Sequence, residues 1–311
     1  MRYKRNCLEL IGNTPLIRLS KIEKEFNLPF SLFAKLEKYN SSGSIKDRPS
    51  LFMIQDALNK KIINNDTLII EATSGNTGIS LSMICAYYDL KLHIYMPESS
   101  SIERVKIMKA YGAEVILTPK EEGMNGSLKA ALKEHQENNN SFIPSQFENT
   151  NNILSHYQMT AKEILYDLKY DVDVIIAGIG TSGTIMGIAK CFKDKKMKTK
   201  IIGVEPMSSP LISMQKKGIH KIQGIGPNFI SPLFDKTLID EIILIRDEEA
   251  YNFCSLLAKK EGLLCGISSG ASLAAVSKLN YNDYKNKNVV IILPDGGERY
   301  LSIDGLYENS R

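Results

Sequence analysis

Short apolar runs, each stopped by a cluster of small polar residues, punctuate this chain. The sharpest is Leu68-Ile-Ile-Glu-Ala72, which gives way to Thr73-Ser-Gly-Asn-Thr-Gly78 and then to Ile79, Leu81, Ile84 and Cys85 at helical spacing. A run this short, bounded by turn residues, predicts a buried strand, a loop and a helix. The same punctuation predicts strands over residues 16–19, 31–36, 92–96, 113–118, 142–147, 172–177, 201–205, 242–245 and 289–293. Helices are predicted over 44–57, 101–111 and 152–168. Strands alternating with helices call for mostly parallel sheets covered on both faces. A polar break at residues 137–141 separates two phases of this repetition. The expected fold class is therefore α/β with two domains, each a twisted, mostly parallel sheet flanked by helices. Residues 35–147 would form an N-terminal α/β domain, and residues 1–34 with 148–311 a C-terminal one, with a cleft between them.

Strand, small-residue loop and helix bring backbone N–H groups to a helix N-terminus, where a carboxylate or phosphate is stabilised. An ordinary turn between strand and helix uses the same residues. A second such loop, Gly178-Ile-Gly-Thr-Ser-Gly-Thr184, follows the strand at 172–177. Its Gly178, Gly180 and Gly183 match the dinucleotide fingerprint, and Glu205 ends the next strand where a ribose-binding acid would stand. Three features weigh against a dinucleotide. The loop lies deep in the chain, its hydroxyls suit a single phosphate monoester, and residues 73–78 would be left without a role. Lys46 falls in the first turn of the helix predicted over 44–57, where the dipole disfavours a cation. Local conflicts of this kind gather at functional sites.

Charge and cysteines narrow the classes further. The formal charge is +4 and the lysines are scattered, so no nucleic-acid footprint is expected. The basic run 193–200 reads as a solvated helix end. Five dispersed cysteines at 7, 85, 191, 254 and 265 show neither metal-ligand nor redox spacing, and fit reduced thiols. No metal is expected. No apolar run is long enough for a signal-peptide core or a membrane span. A soluble cytoplasmic protein is the expectation.

Taken in order, Ser44-Ile-Lys46-Asp-Arg, Thr73-Ser-Gly-Asn-Thr-Gly78, Gly180-Thr-Ser-Gly-Thr184 and Gly266-Ile-Ser-Ser-Gly270 carry a resemblance. The chain resembles the cysteine synthase / cystathionine β-synthase family of pyridoxal-phosphate enzymes, of the tryptophan-synthase-β-like group. The likeness runs from Gly12-Asn-Thr-Pro-Leu16, through Ser101-Ile-Glu-Arg104, to Gly297-Glu-Arg-Tyr-Leu-Ser302. It implies that pyridoxal 5'-phosphate lies in the cleft and that Lys46 is the Schiff-base lysine. Asn76 would bond the cofactor's 3-hydroxyl, and Gly180, Thr181, Ser182, Gly183 and Thr184 would form the phosphate cup. Ser268 would face the pyridine nitrogen, while Thr73, Ser74 and Thr77 with Gln146 would receive the substrate's α-carboxylate. A neutral serine does not hold a proton on the ring, which favours expulsion of a β-substituent over transamination.

The implied reaction is β-replacement. Lys46 takes the α-proton of a β-substituted amino acid, the β-group departs to leave an aminoacrylate, and sulfide or a thiol adds. Closure around residues 73–78 on carboxylate binding would exclude water. The leading expectation is cysteine synthesis from O-acetylserine and sulfide. One alternative consumes cysteine and releases hydrogen sulfide while forming lanthionine, cystathionine or serine; another is a nicotinamide-dependent oxidoreductase using residues 178–183. The chain departs from its relatives at Ser41-Ser42, where proline is usual, and at Pro97-Glu-Ser99-Ser100. It departs again at Pro227 and Asn228, and a polar Asn228 near the β-carbon would admit a different nucleophile or leaving group. A homodimer, with serine acetyltransferase as a further partner, is what the family suggests. Ending at Arg311 without a haem-binding extension or regulatory module, the chain is expected to be a bare catalytic core.

Overall fold

A computed structural model describes residues 3–307. The first strands are β1 (Leu16–Arg18), β2 (Ser31–Leu36), β3 (Leu68–Ala72), β4 (Lys91–Pro97), β5 (Glu114–Thr118) and β6 (Ser141–Phe142). They are followed by β7 (Val174–Gly178), β8 (Lys200–Pro206), β9 (Glu241–Ile245) and β10 (Asn288–Leu293). Two sheets result: a six-stranded one in the order β1-β2-β10-β7-β8-β9 and a four-stranded one in the order β5-β4-β3-β6. Among the strand pairs of the described residues, only β1–β2 is antiparallel.

The unbroken apolar runs follow from burial on both faces. In β7, Val174 and Ile176 pack into a core shared with the helix Ile267–Val276. Ile175 and Ala177 point the other way, towards the helix Gly183–Asp194. A strand covered on both sides has no wet face and so no reason to alternate with polar residues. In the smaller sheet, Ile69 and Ile94 face the helix Asn76–Tyr87, while Leu68 and Ile70 meet Ala131 of the helix Gly123–Glu137.

Most boundaries shift by a residue or two, and three predicted elements differ by more. The strand over 142–147 shrinks to β6, because Pro144 has no N–H for the ladder and Ser145 turns left-handed at φ 54°. That turn brings Gln146 back under the loop after β3. The helix over 152–168 starts at Asn151 and contains a π-turn, His156–Thr160, between Asn151–Ser155 and Ala161–Asp167. The helix expected from residue 44 begins at Asp47, so Lys46 is its cap residue and not part of its first turn.

Strand alternation puts Glu71 on the face of Ile69, inside an apolar core. Its Oε2 has no partner among the described residues, and burial pushes the carboxyl up to about 8 against one backbone N–H from Ser145. A raised pKa means that the folded state holds this proton more tightly than the unfolded chain. The resulting stability is complete below the ordinary carboxylate range and is lost as pH rises towards about 8. Glu71→Gln keeps the shape without the charge. Its stability advantage over the wild type is expected to grow between about pH 5 and about pH 8. Urea midpoints that track the wild type across that range would contradict this.

Candidate active site

The cap position holds Lys46 over a cleft at the carboxyl ends of the β-strands. Its loop is tied to the end of β10: the Ile45 N–H donates to the Pro294 carbonyl at 2.8 Å, and Ser44 bridges Asp295. On the other side of the lysine, Asp47 accepts the Ser42 N–H at 2.6 Å and the hydroxyls of Ser42 and Ser80. Burial lowers the Lys46 amine to about 8, with the nearby Asp295 charge opposing the shift. A substantial neutral fraction therefore exists near physiological pH, as attack on an aldehyde requires.

Lys46, Asn76, Gly180, Thr181, Ser182, Thr184 and Ser268 line one cleft with about 540 Å³ of space open to the mouth. Ser182 adopts φ 72° at the N-cap of the helix Gly183–Asp194, which turns the loop so that first-turn N–H groups face the cleft. Two glycines are required by close approach. A Cβ on Gly180 would sit 2.5 Å from the Gly224 carbonyl, and one on Gly183 would sit 1.8 Å from Asn152 Oδ1. A side chain at position 183 would therefore point away from the cleft, into Asn152. Asn152 Nδ2 donates to the Gln146 carbonyl at 2.7 Å and to Thr181 Oγ1 at 2.9 Å, joining the phosphate-type loop to the segment carrying Gln146.

His156, in the π-turn, lies 3.2 Å from Thr184 Oγ1 through Nε2 and 2.9 Å from Thr160 Oγ1 through Nδ1. Burial, helped by the Arg48 and Lys46 charges, keeps this imidazole well below its usual pKa. A neutral ring with one donor and one acceptor fixes the Thr184 hydroxyl without adding charge.

Thr73, Thr77 and Gln146 are buried beside Asn76, and Thr77 Oγ1 donates to Gln146 Oε1 at 2.7 Å. Ser74 is half-buried, and its carbonyl accepts Arg104 Nη1 at 3.1 Å. Arg104 also reaches Gln223 Oε1 at 3.0 Å and stacks 5.2 Å over the Tyr300 ring, bridging the two sides of the cleft mouth. Asn228 is exposed and is not among the cleft's lining residues. Glu205, the acid a dinucleotide would need, is committed elsewhere. Its two oxygens accept the N–H of Ile212 at 2.6 Å and both the N–H and hydroxyl of Ser213. The fingerprint glycines thus serve local packing, and no ribose acid is free beside them.

Sequence reasoning gave no role to Asp295, Asn152 and His156, and none to Arg104 and Arg299 although both fall in segments that carry the family likeness. Asp295, Asn152 and His156 are single polar residues outside the segments of that likeness. The one available signal was position: Asp295 follows the apolar run of β10, and crevices in such folds open at carboxyl strand ends.

The arrangement suits an aldehyde bearing one phosphate: a partly neutral buried amine, an amide at one edge, a hydroxyl at the other and a helix start ringed with hydroxyls. Comparison with known proteins agrees. Residues 8–295 match the family described as pyridoxal-phosphate dependent enzyme. The chain is 49% identical to cysteine synthase B of Campylobacter jejuni over 304 residues, covering 98% of this chain and 99% of that protein. Among solved structures, cysteine synthase from Entamoeba histolytica superposes with a TM-score of 0.95 at 39% identity, covering 100% of this chain and 92% of that one. A hydrogen sulfide-producing enzyme from Fusobacterium nucleatum gives 0.91 at 44% identity, with 96% and 100% covered. This chain belongs to the pyridoxal-phosphate dependent enzymes of the cysteine synthase type.

Proposed function

We propose that the protein makes L-cysteine and acetate from O-acetylserine and sulfide, with Lys46 as the residue that both holds the cofactor and moves the α-proton. The observation that carries this reading is a buried lysine amine lowered to about 8 and facing a cleft walled by the 180–184 loop. When bound, pyridoxal phosphate supplies the aldehyde and conjugated ring that acidify the substrate's α-carbon. Asn76 would bond its 3-hydroxyl edge, Ser268 would face its ring nitrogen and residues 180–184 would hold its phosphate. Ser268 lies in the first turn of the helix Ile267–Val276, whose dipole would disfavour a proton on a ring nitrogen held there. Thr73, Ser74, Thr77 and Gln146 receive the substrate carboxylate at the start of the helix Asn76–Tyr87. With its pKa near working pH, Lys46 can accept the α-proton as an amine and return it as an ammonium.

The division at 35–147 is supported by the two sheets, with β3 to β6 in one and the remaining strands in the other. Its first boundary falls within β2, which pairs with the larger sheet. A cytoplasmic homodimer, with serine acetyltransferase as a further partner, is the setting that the family resemblance implies.

A second reading runs the same residues on cysteine, releasing hydrogen sulfide, and is favoured by the likeness to the Fusobacterium enzyme. Asn228, on the segment beside the cleft, is the residue proposed to bear on that choice. Turnover measured with O-acetylserine plus sulfide, and separately with cysteine alone, decides between them. Faster sulfide release from cysteine would put the second reading first.

A further inference from the structure

We propose that Asp295 is a positioning residue that, with Arg299, holds the Asn76 amide one way round and so aims its free N–H at the bound cofactor. The inference rests on the cleft's being the pyridoxal phosphate site.

Asn76 Nδ2 donates to Asp295 Oδ2 at 2.6 Å, and Asn76 Oδ1 accepts from Arg299 Nη1. An ionised carboxylate only accepts and a guanidinium only donates, so one amide orientation satisfies both partners. The reverse would set oxygen against oxygen and N–H against N–H, leaving buried polar groups unmet. An amide placed between neutral hydroxyls would have no such preference. Nδ2 carries two hydrogens, and Asp295 is its one acceptor among the described residues. Since Asn76 and Asp295 both line the cleft, the second hydrogen is available to a ligand there.

The rest of the segment is built to hold this pair still. The Tyr300 hydroxyl donates to the same Asp295 oxygen at 2.6 Å, and Arg299 also donates to the Ser42 carbonyl of the lysine loop. Asp295 itself is 1% exposed, and its Oδ1 has no partner among the described residues. A Cβ on Gly266 would sit 2.1 Å from that oxygen, so the carboxylate depends on the glycine for its place. Keeping a charged group buried with an unmet oxygen is costly. Fixing Asn76 and supporting the charge of Lys46 gives it a use in the site.

The test is a double-mutant cycle on pyridoxal phosphate affinity, using cofactor-stripped protein whose folding is checked by circular dichroism. Asp295→Asn, which keeps the shape but can present either end of its amide, is expected to weaken capture about tenfold. If Asp295 acts through Asn76, Asn76→Ala combined with Asp295→Asn will bind no more weakly than Asn76→Ala alone. The capture pH profile gives a second readout, which packing alone would not move in a set direction. Removing the carboxylate withdraws support from the Lys46 ammonium, so the midpoint should fall. Additive losses, an unchanged Asp295→Asn affinity, or a midpoint that stays or rises would overturn the proposal. If Asp295→Asn does not fold, Arg299→Met tests the other end of the amide in the same cycle. Wild-type protein that captures no cofactor on Lys46 would overturn the site reading, and this inference with it. Capture with additive losses would overturn this inference alone.

Discussion

Lys46→Ala is expected to slow cysteine formation by at least about 10³-fold while leaving a folded chain, because one side chain supplies both the covalent tether and the proton transfer. Borohydride treatment of the loaded wild type followed by digestion and mass spectrometry should place the cofactor on residue 46. A label on any other lysine would sink the assignment. The pH dependence follows from the same burial. With the amine lowered to about 8, the neutral form is the minority below that pH and gains ground as pH rises. The rate at which cofactor-free protein captures pyridoxal phosphate should climb about tenfold per unit below about pH 8 and then level off. A profile that climbs steadily to about pH 10, as an ordinary lysine would give, would show the amine to be unperturbed. Burial also makes the charged amine a liability for folding, since the folded pKa lies below that of the free side chain. Removing it in Lys46→Met should therefore raise stability at neutral pH while abolishing turnover, the usual exchange at an active site.

The second large effect lies beneath the lysine. Arg48, fully buried, bonds Glu37 through Nε and Nη2 at 2.7 Å each and Glu163 through Nη2 at 2.8 Å. Lys35, also buried, completes the group by pairing with Glu163 at 2.9 Å and donating to the Thr14 carbonyl at 2.6 Å. Burial alone would raise both carboxyls, but Arg48 outweighs it, holding Glu37 below its usual value and Glu163 at about 2. Arg48→Met strands these carboxylates in the interior and is expected to cost about 3–5 kcal/mol, read from urea unfolding. Arg48→Lys should recover little of it, because an ammonium cannot reproduce the two-pronged geometry. A loss below about 1 kcal/mol would mean that the network is solvated and structurally unimportant. Asp47 and Arg48 open the helix capped by Lys46, so cofactor capture should weaken along with stability.

The parts legible in the sequence were those set by neighbours along the chain. Apolar runs marked β3, β7 and β10 because strands buried on both faces need unbroken apolar side chains. The loops at 73–78 and 178–184 were legible because a strand-to-helix turn near a ligand demands small residues. The ordered motifs then brought in Lys46, Asn76 and Ser268. Local signals also misled. A β-rich stretch at 142–147 read as strand, yet Pro144 and the left-handed Ser145 break it. The fingerprint at 178–183 read as a dinucleotide rival until Glu205 proved to be capping residues 212 and 213.

What the sequence by itself determined is the α/β class, the two glycine-rich loops and, through the ordered motifs, the family. The tertiary structure alone decided how those pieces are held. Asn76 meets Asp295 across 219 positions, Arg104 meets Gln223 across 119 and Arg48 meets Glu163 across 115. No pattern of neighbours encodes such pairs, because a carboxylate or guanidinium seeks whichever partner the packed sheets bring to it. The buried environment that lowers Lys46 likewise exists only once both sheets have closed around it.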